Sequence, residues 1–155
     1  MTEGKKKLLE LEKTSKYFFH GSPNEVEKFE PRQSHNTIDG VKMKDGSPSV
    51  SASPDVDYAI FRGVINKKNC PTESISRVDI ITNDKNTESH TLVFSATKET
   101  MANLREDASC WVYVFKREDF PIQKGRSEYR SAIHVSPLEK ILVKKEDLPE
   151  NIEIK

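Results

Sequence analysis

Cys110-Trp111-Val112-Tyr113-Val114-Phe115 is the stretch that leaves this chain the fewest options. It is aromatic and β-branched throughout its length after the cysteine, which suits a pleated strand. It is apolar at every position, not only at alternate ones. That pattern predicts a strand covered on both faces, at the centre of a layered structure. Lys116-Arg117-Glu118-Asp119 ends it. A second apolar run, Tyr17-Phe18-Phe19, leads straight into His20-Gly21-Ser22-Pro23. It predicts an interior strand over residues 16–20, with Gly-Ser-Pro making the sharp exit. An imidazole is thereby held at a strand end, where polar groups can meet a ligand. A hydrogen-bonded structural histidine is the competing reading.

The remaining segments supply partners for these strands. Leu8, Leu9 and Leu11 give residues 4–14 an apolar helical side, short enough to need packing. Residues 22–48 hold Pro23, Pro31, Pro48, Gly40 and Gly46, and read as a long surface loop anchored by Val26, Phe29 and Ile38. Ordered loops of that length are often lids or binding loops. Ser49-Val50-Ser51-Ala52-Ser53 is a strand of small residues, which lets a ligand or another strand come close to the backbone. Ser53 then reads as an N-cap with Pro54 at the first helical position, and Asp55 and Asp57 complement the helix dipole. Val56, Ala59, Ile60 and Val64 recur at helical spacing, and Arg62 projects away from that stripe. Residues 66–74 are a polar loop.

Residues 77–81 and 90–95 read as strands that pair as a hairpin, joined through a turn at Asn83-Asp84-Lys85-Asn86. Thr97 caps a short helix running to about Leu104, with Met101 and Leu104 facing inward. Strands follow over 128–135 and 140–143, and Ile152 and Ile154 pack weakly at the end. Many strands joined mostly by loops, with two or three short helices, give an α+β class with a largely antiparallel, split sheet. The 155 residues suit one domain. It would have a peripheral N-terminal helix over 1–15, a core over 16–148 and a C-terminal tail over 149–155.

Charge and cysteine use narrow the function classes. Lysine and arginine total 25, as do aspartate and glutamate, so the formal net charge is zero. A protein devoted to gripping long nucleic acid is usually more basic, although balance leaves room for a local basic groove. No apolar run approaches the roughly 20 residues that span a bilayer. Lys5-Lys6-Lys7 precedes a segment too short and too charged for a signal peptide, so a cytoplasmic protein is expected. Cys70 and Cys110 lack CxxC spacing and are expected as free thiols. The four histidines, His20, His35, His90 and His134, show no metal-ligand spacing.

Three separated pieces agree with one another. They are Phe19-His20-Gly21-Ser22; Ser49-Val50-Ser51-Ala52-Ser53-Pro54 with the following Asp57-Tyr58-Ala59; and Arg126-Ser127-Glu128-Tyr129-Arg130-Ser131 with Val135-Ser136-Pro137-Leu138 behind it. In this order they resemble the ADP-ribosyltransferase fold, on the diphtheria-toxin and poly-ADP-ribose-polymerase side. The resemblance spans roughly residues 17–148, and the order and spacing of the motifs carry it. It implies NAD as substrate, with ADP-ribose transferred to a macromolecular acceptor, protein or nucleic acid. It further implies His20, Gly21 and Ser22 at the nicotinamide-ribose end, Arg32 on the diphosphate, Ser51 and Ser53 in the second motif, and Glu128 as the catalytic carboxylate. The family's second strand usually carries a tyrosine that stacks on the nicotinamide. Here Ser51-Ala52-Ser53 stands there, a degenerate form of the Ser-Thr-Ser of some bacterial branches, and the nearby tyrosine is Tyr58 on the helix. Two other readings stay open. One is an RNA 2′-phosphotransferase using Arg32, Arg62 and Arg130 on phosphate. The other is a non-catalytic module that binds a nucleotide or a protein. A glutamate opening a strand also has a plain reading, a cross-strand pair with lysine or arginine.

Overall fold

The computed structural model describes residues 1–82 and 90–155. The turn expected at Asn83-Asp84-Lys85-Asn86 lies outside them. The chain is a mixed α+β fold with mostly antiparallel strands. Strand β7 (Ser109–Lys116) lies between β1 (Tyr17–Ser22) and β10 (Glu139–Lys144), antiparallel to both, as its two apolar faces require. Alternation sends those faces to separate cores. Cys110, Val112 and Val114 join Phe19, Ile141 and Val143 in one cluster. Helix α1 (Glu3–Lys13) contributes Leu8 to it, and helix α2 (Val56–Val64) contributes Val56, Ala59, Ile60 and Val64. Tyr113 and Phe115 pack with Phe18 against Phe29, Val50, Phe120 and Val135 in the other. Each large apolar side chain so buried is worth about 1.5–3 kcal/mol. The helix expected at the periphery thus places Leu8, fully buried, in the main core.

Helix α2 presses on β1 closely enough to dictate glycine. A Cβ on Gly21 would lie 2.0 Å from the Ala59 carbonyl oxygen, and one on Gly63 would lie 2.5 Å from Cys110 Sγ. The helix starts later than expected. Ser53 is not its N-cap and Pro54 is not its first residue: Asp55 occupies the N-cap position and the helix begins at Val56. Ser53 belongs instead to a two-bond bridge with Phe19 (2.7 and 2.8 Å), and its hydroxyl accepts from the Asp55 N–H. The Val56 N–H donates to Glu12 Oε2 of α1 at 2.7 Å, so one helix caps the other.

Strands β5 (Ser76–Thr82) and β6 (His90–Ala96) pair antiparallel as expected. The expected tail is ordered further than anticipated: β11 (Ile152–Ile154) joins β6 in parallel, with Ile152 against the core and Ile154 exposed. Helix α3 (Lys98–Asn103) is capped by the Thr97 hydroxyl, and Leu104 is buried. A third small sheet orders β4 (Val50–Ala52), β9 (Tyr129–Ser131) and β8 (Ile122–Gln123). The strand expected over 128–135 is confined to β9. The Ser131 hydroxyl bonds the Ile133 backbone and bends the chain, and only Val135 returns to a ladder, bridging Phe29.

The long loop over 22–48 is half regular. It contains a hairpin of β2 (His35–Ile38) and β3 (Val41–Lys44). Asp39 and Gly40 both take positive φ, 50° and 77°, as a type I′ turn demands. Ile38 is exposed and anchors nothing, whereas Phe29 is buried. The Tyr113 hydroxyl fastens the segment after β1, accepting from the Val26 N–H and donating to the Asn24 carbonyl. Among the described residues no helix is long and apolar enough to cross a membrane. Cys70 and Cys110 are buried free thiols, and burial pushes Cys110 up to about 12.

The chain ends are tied through one buried carboxylate. Asp147 accepts from Thr2 N (2.7 Å), Thr2 Oγ1 (2.6 Å) and Lys144 N (3.0 Å), and Lys5 Nζ donates to its backbone oxygen (2.7 Å). Replacing Asp147 with alanine removes the acceptor of the part-buried Thr2 and Lys144 donors, while the Lys5 bond to the backbone oxygen can remain. A loss of about 1–3 kcal/mol is expected, read as a lower urea midpoint at unchanged slope.

Candidate functional site

The site is a gap between two strands that pair once and then part. Phe19 and Ser53 are bridged antiparallel. Continuing that register would set Gly21 opposite Ser51, but β4 turns instead into its own sheet with β9. The opening is a cleft of about 190 Å³, lined by Phe19, His20, Gly21, Ser51, Ala52, Ser53, Tyr58, Ala59, Arg62 and Glu128. Phe19 directs its N–H and C=O to Ser53. Alternation along β1 directs those of Gly21 to the same side, into the gap. A backbone donor and acceptor are thereby presented to whatever fills the cleft. Beyond His20 and Ser51 lies a more polar chamber of about 410 Å³, whose walls include Ser22, Arg32 and Ser49.

All eight residues singled out in the sequence reach these two spaces. His20, Gly21, Ser51, Ser53, Tyr58 and Glu128 line the cleft, and Ser22 and Arg32 line the adjoining chamber. His20 Nδ1 lies 2.8 Å from the Ser51 carbonyl oxygen. A carbonyl only accepts, so Nδ1 carries the proton and Nε2 is left as an acceptor. Burial lowers the His20 pKa, and nearby Arg32 lowers it further, against the opposing pull of the Ser51 bond. His20 is therefore a neutral acceptor suited to a hydroxyl group. Gly21 is required for a different reason from the one expected, since its Cβ position is filled by α2. Ser22 Oγ accepts from the Asn24 N–H and shapes the exit of β1. Tyr58 supplies an aromatic wall from the helix rather than from the second strand, with the Arg62 guanidinium 5.8 Å from its ring centroid.

Glu128 immediately precedes β9 and is held there by Arg130. Both Nε and Nη2 of Arg130 lie 2.8 Å from Glu128 Oε2. Arg130 is itself buried and also donates to the Asp45 carbonyl oxygen (2.9 Å) and to Asp45 Oδ2 (2.8 Å). Every nitrogen of that guanidinium is engaged, which leaves it no free fork for a phosphate. Two of the three arginines considered for phosphate, Arg32 and Arg62, remain at the walls.

A second group escaped the sequence reading. Ser127 Oγ donates to Asp55 Oδ2 (2.6 Å) and lies 2.8 Å from Ser53 Oγ, and His90 Nε2 lies 2.8 Å from the same Asp55 oxygen. Asp55 accepts from both, so Ser53 donates to Ser127. Ser127 is fully buried and cannot act as a nucleophile. The network ties the end of β4, the residue before Glu128, the start of α2 and the start of β6. No spacing signal could have found it, because it joins four segments that meet only in three dimensions. Ser49 was read only as part of a strand. It contributes a buried hydroxyl, without a partner among the described residues, to the polar chamber. Among the described residues no cluster of three or more histidine, cysteine, aspartate or glutamate side chains is arranged to hold a metal.

No model of a protein family, no curated protein and no solved structure matches this chain. The chemistry of the cleft follows from its own groups: a backbone donor–acceptor pair, a neutral imidazole, an aromatic wall and a fixed carboxylate.

Two outcomes are expected. The folded-state pKa of His20 lies below its ordinary 6.5, so the unfolded chain binds the proton first as pH falls. The His20 contribution to stability is full above the ordinary histidine value and is lost as pH drops toward the folded value. Replacing His20 with glutamine should flatten urea stability against pH in that window. Gly21→Ala should cost about 1–3 kcal/mol by overpacking against α2, measured as a fall in the thermal midpoint without ligand. An unchanged midpoint would mean that α2 moves aside readily.

Proposed function

We propose that this protein is an ADP-ribosyltransferase-type enzyme, which cleaves NAD at the nicotinamide–ribose bond and transfers ADP-ribose to a macromolecule. One observation carries the reading. The parting of β1 and β4 brings the Gly21 backbone edge, the neutral His20 acceptor and the Glu128 carboxylate into one cleft, although the sequence separates His20 from Glu128 widely. A carboxamide needs one donor and one acceptor, which the Gly21 edge offers. Tyr58 and Phe19 offer apolar walls to the attached ring. A ribose hydroxyl finds His20 Nε2. The polar chamber, with Arg32 and the buried Ser49 hydroxyl, suits the diphosphate side of the same molecule.

The chemical step then has a simple division of labour. The bond between ribose C1′ and the nicotinamide nitrogen breaks, and nicotinamide leaves with the electron pair. Positive charge spreads over the ribose ring, as in other glycosyl transfers. The Glu128 carboxylate stabilises that charge, and Arg130 fixes its position by holding one of its two oxygens. The acceptor nucleophile bonds to C1′ and releases its proton. Because Arg130 is fully engaged, the 2′-phosphotransferase reading loses one of its three arginines.

Calorimetry with NAD, run alongside an assay of nicotinamide release, tests this. Binding with release is expected. Glu128→Gln should lower release by about a hundredfold or more while NAD binding stays within a few fold, and His20→Ala should weaken binding by about tenfold. Binding without release would favour a nucleotide-binding module, and no binding at millimolar NAD would end the transferase reading.

A further inference from the structure

Strand β5 ends its sheet, and its free edge lacks the usual devices that keep a strand from pairing with another chain. Such edges are ordinarily short, covered, or broken by lysine, proline or a bulge. The other edges of this molecule are managed in those ways. Helix α1 lies against β10, with Gly4 packed on the Leu142 carbonyl. The free edge of β1 meets β4 through the Phe19–Ser53 bridge. Strands β8 and β11 have two and three residues, and the four-residue β3 carries Lys42 and Lys44. By contrast β5 has seven residues, and no proline, glycine or lysine stands between Ile75 and Thr82. Its register with β6 is unbroken, so it has no bulge. Its two charges, Arg77 and Asp79, neutralise each other at 2.7 Å.

The same edge offers backbone groups in a fixed order. Strands β5 and β6 pair from Ser76 with Ala96 to Thr82 with His90. One step further, the Thr97 N–H donates to the Ile75 carbonyl (3.2 Å). Backbone groups alternate sides along a strand, so Ile75, Arg77, Asp79 and Ile81 turn theirs to β6. Ser76, Val78, Ile80 and Thr82 turn theirs outward. Ala96 agrees with this alternation: its carbonyl faces away from β5 and accepts from the Lys155 N–H. Among the described residues nothing takes the outward groups of β5. The side chains along the edge are apolar as well. Ile75 and Ile81, on the outer face, are 56% and 50% exposed. Ile80 lies on the core side, opposite Leu92, and is still 40% exposed because no strand lies beyond it.

We propose that β5 pairs antiparallel with β5 of a second copy of this chain, centred on Val78. A two-fold axis normal to the sheet relates the copies and keeps core face beside core face. Residues of like parity must therefore stand opposite one another. Charge then selects the register. Centred on Arg77 or on Asp79, the pairing sets that residue against its own copy, like charge against like. Centred on Ser76 or Ile80, it sets a charge against an isoleucine and shortens the ladder. Centred on Val78, it sets Arg77 against Asp79 and Ile75 against Ile81, each twice by symmetry. Those are the pairs without mutual backbone bonds, where side chains approach most closely. Each Arg77 then lies between its own Asp79 and that of the second copy. The backbone bonds run from Val78 to Val78 of the second copy and between Ser76 and Ile80. The strand is thus complementary to itself in charge, apolar contact and backbone pairing, which favours a second copy over an unrelated extended segment. No residue of β5 lines the cleft or the polar chamber, so the pairing is independent of the transferase reading.

Sedimentation velocity of the whole chain, from micromolar to millimolar protein, tests this. A reversible monomer–dimer equilibrium is expected. Arg77→Asp sets like charges opposite at both symmetry-related positions and should weaken the dimer by about tenfold or more. The exchange of Arg77→Asp together with Asp79→Arg restores opposite charges in the same register. It should bring the dimer back to within a few fold of wild type. Both side chains lie on the outer face, and circular dichroism at monomeric concentration should show all three chains folded alike. A chain that stays monomeric at millimolar concentration, a dimer indifferent to Arg77→Asp, or a dimer that the exchange fails to restore would each overturn the proposal, the last two in favour of another face.

Discussion

The Phe19–Ser53 bridge is the constraint on which the site depends. It is a single antiparallel contact, yet it fixes how far β1 and β4 stay together before they separate. Past it, Gly21 and Ser51 have backbone edges turned toward each other with no ladder between them. A sheet that closed there would bury those edges and leave no cleft. Two features stop it from closing. The His20 imidazole occupies the gap and takes the Ser51 carbonyl, and β4 finds its ladder partner in β9. The strands are parted by what each binds, so the opening does not rely on strain.

The polar groups around the gap form two separate braces. Asp45, Arg130 and Glu128 hold the carboxylate from the side of the hairpin, and the Arg130 guanidinium holds the Asp45 carboxyl below its ordinary range. Ser53, Ser127, Asp55 and His90 hold the floor. The residue before Glu128 belongs to one brace and Glu128 to the other. The carboxylate is therefore positioned along both its backbone and its side chain. A partly buried charge network of this kind costs desolvation, which is offset only when every member is paired. Fixing one carboxylate at the mouth of a cleft is a use that accounts for such an arrangement.

Much of this was legible in the chain. The uninterrupted apolar run at 110–115 announces a central strand, because no surface strand keeps both faces apolar. The spacing of Val56, Ala59, Ile60 and Val64 announces a helix on the core. His20, Ser51 and Glu128 were drawn together by motif order, and they share the cleft. Other parts were legible and passed over. Asp39-Gly40 between residues of alternating character is a strong hairpin signal, hidden by the polar length of the loop around it. The strand over 128–135 was overread because periodicity does not show a serine bending the chain by bonding its own backbone two residues on.

By itself the sequence determined the apolar periods, and with them the class of fold, the central strand and the core helix. Those are local properties, set by side-chain character at spacings of two or about four residues. The imidazole expected at a strand end sits inside β1, because Gly21 and Ser22 continue the ladder with β7. Tertiary structure alone decided that Gly21 is demanded by the Ala59 carbonyl pressed on it. It alone decided that Glu12 caps the other helix and that Arg130 is consumed by Asp45 and Glu128. It also decided that His90 and Ser127 meet on Asp55. Each of these depends on a distance between segments far apart in the chain, and a hydrogen bond between such segments leaves no period for the sequence to display.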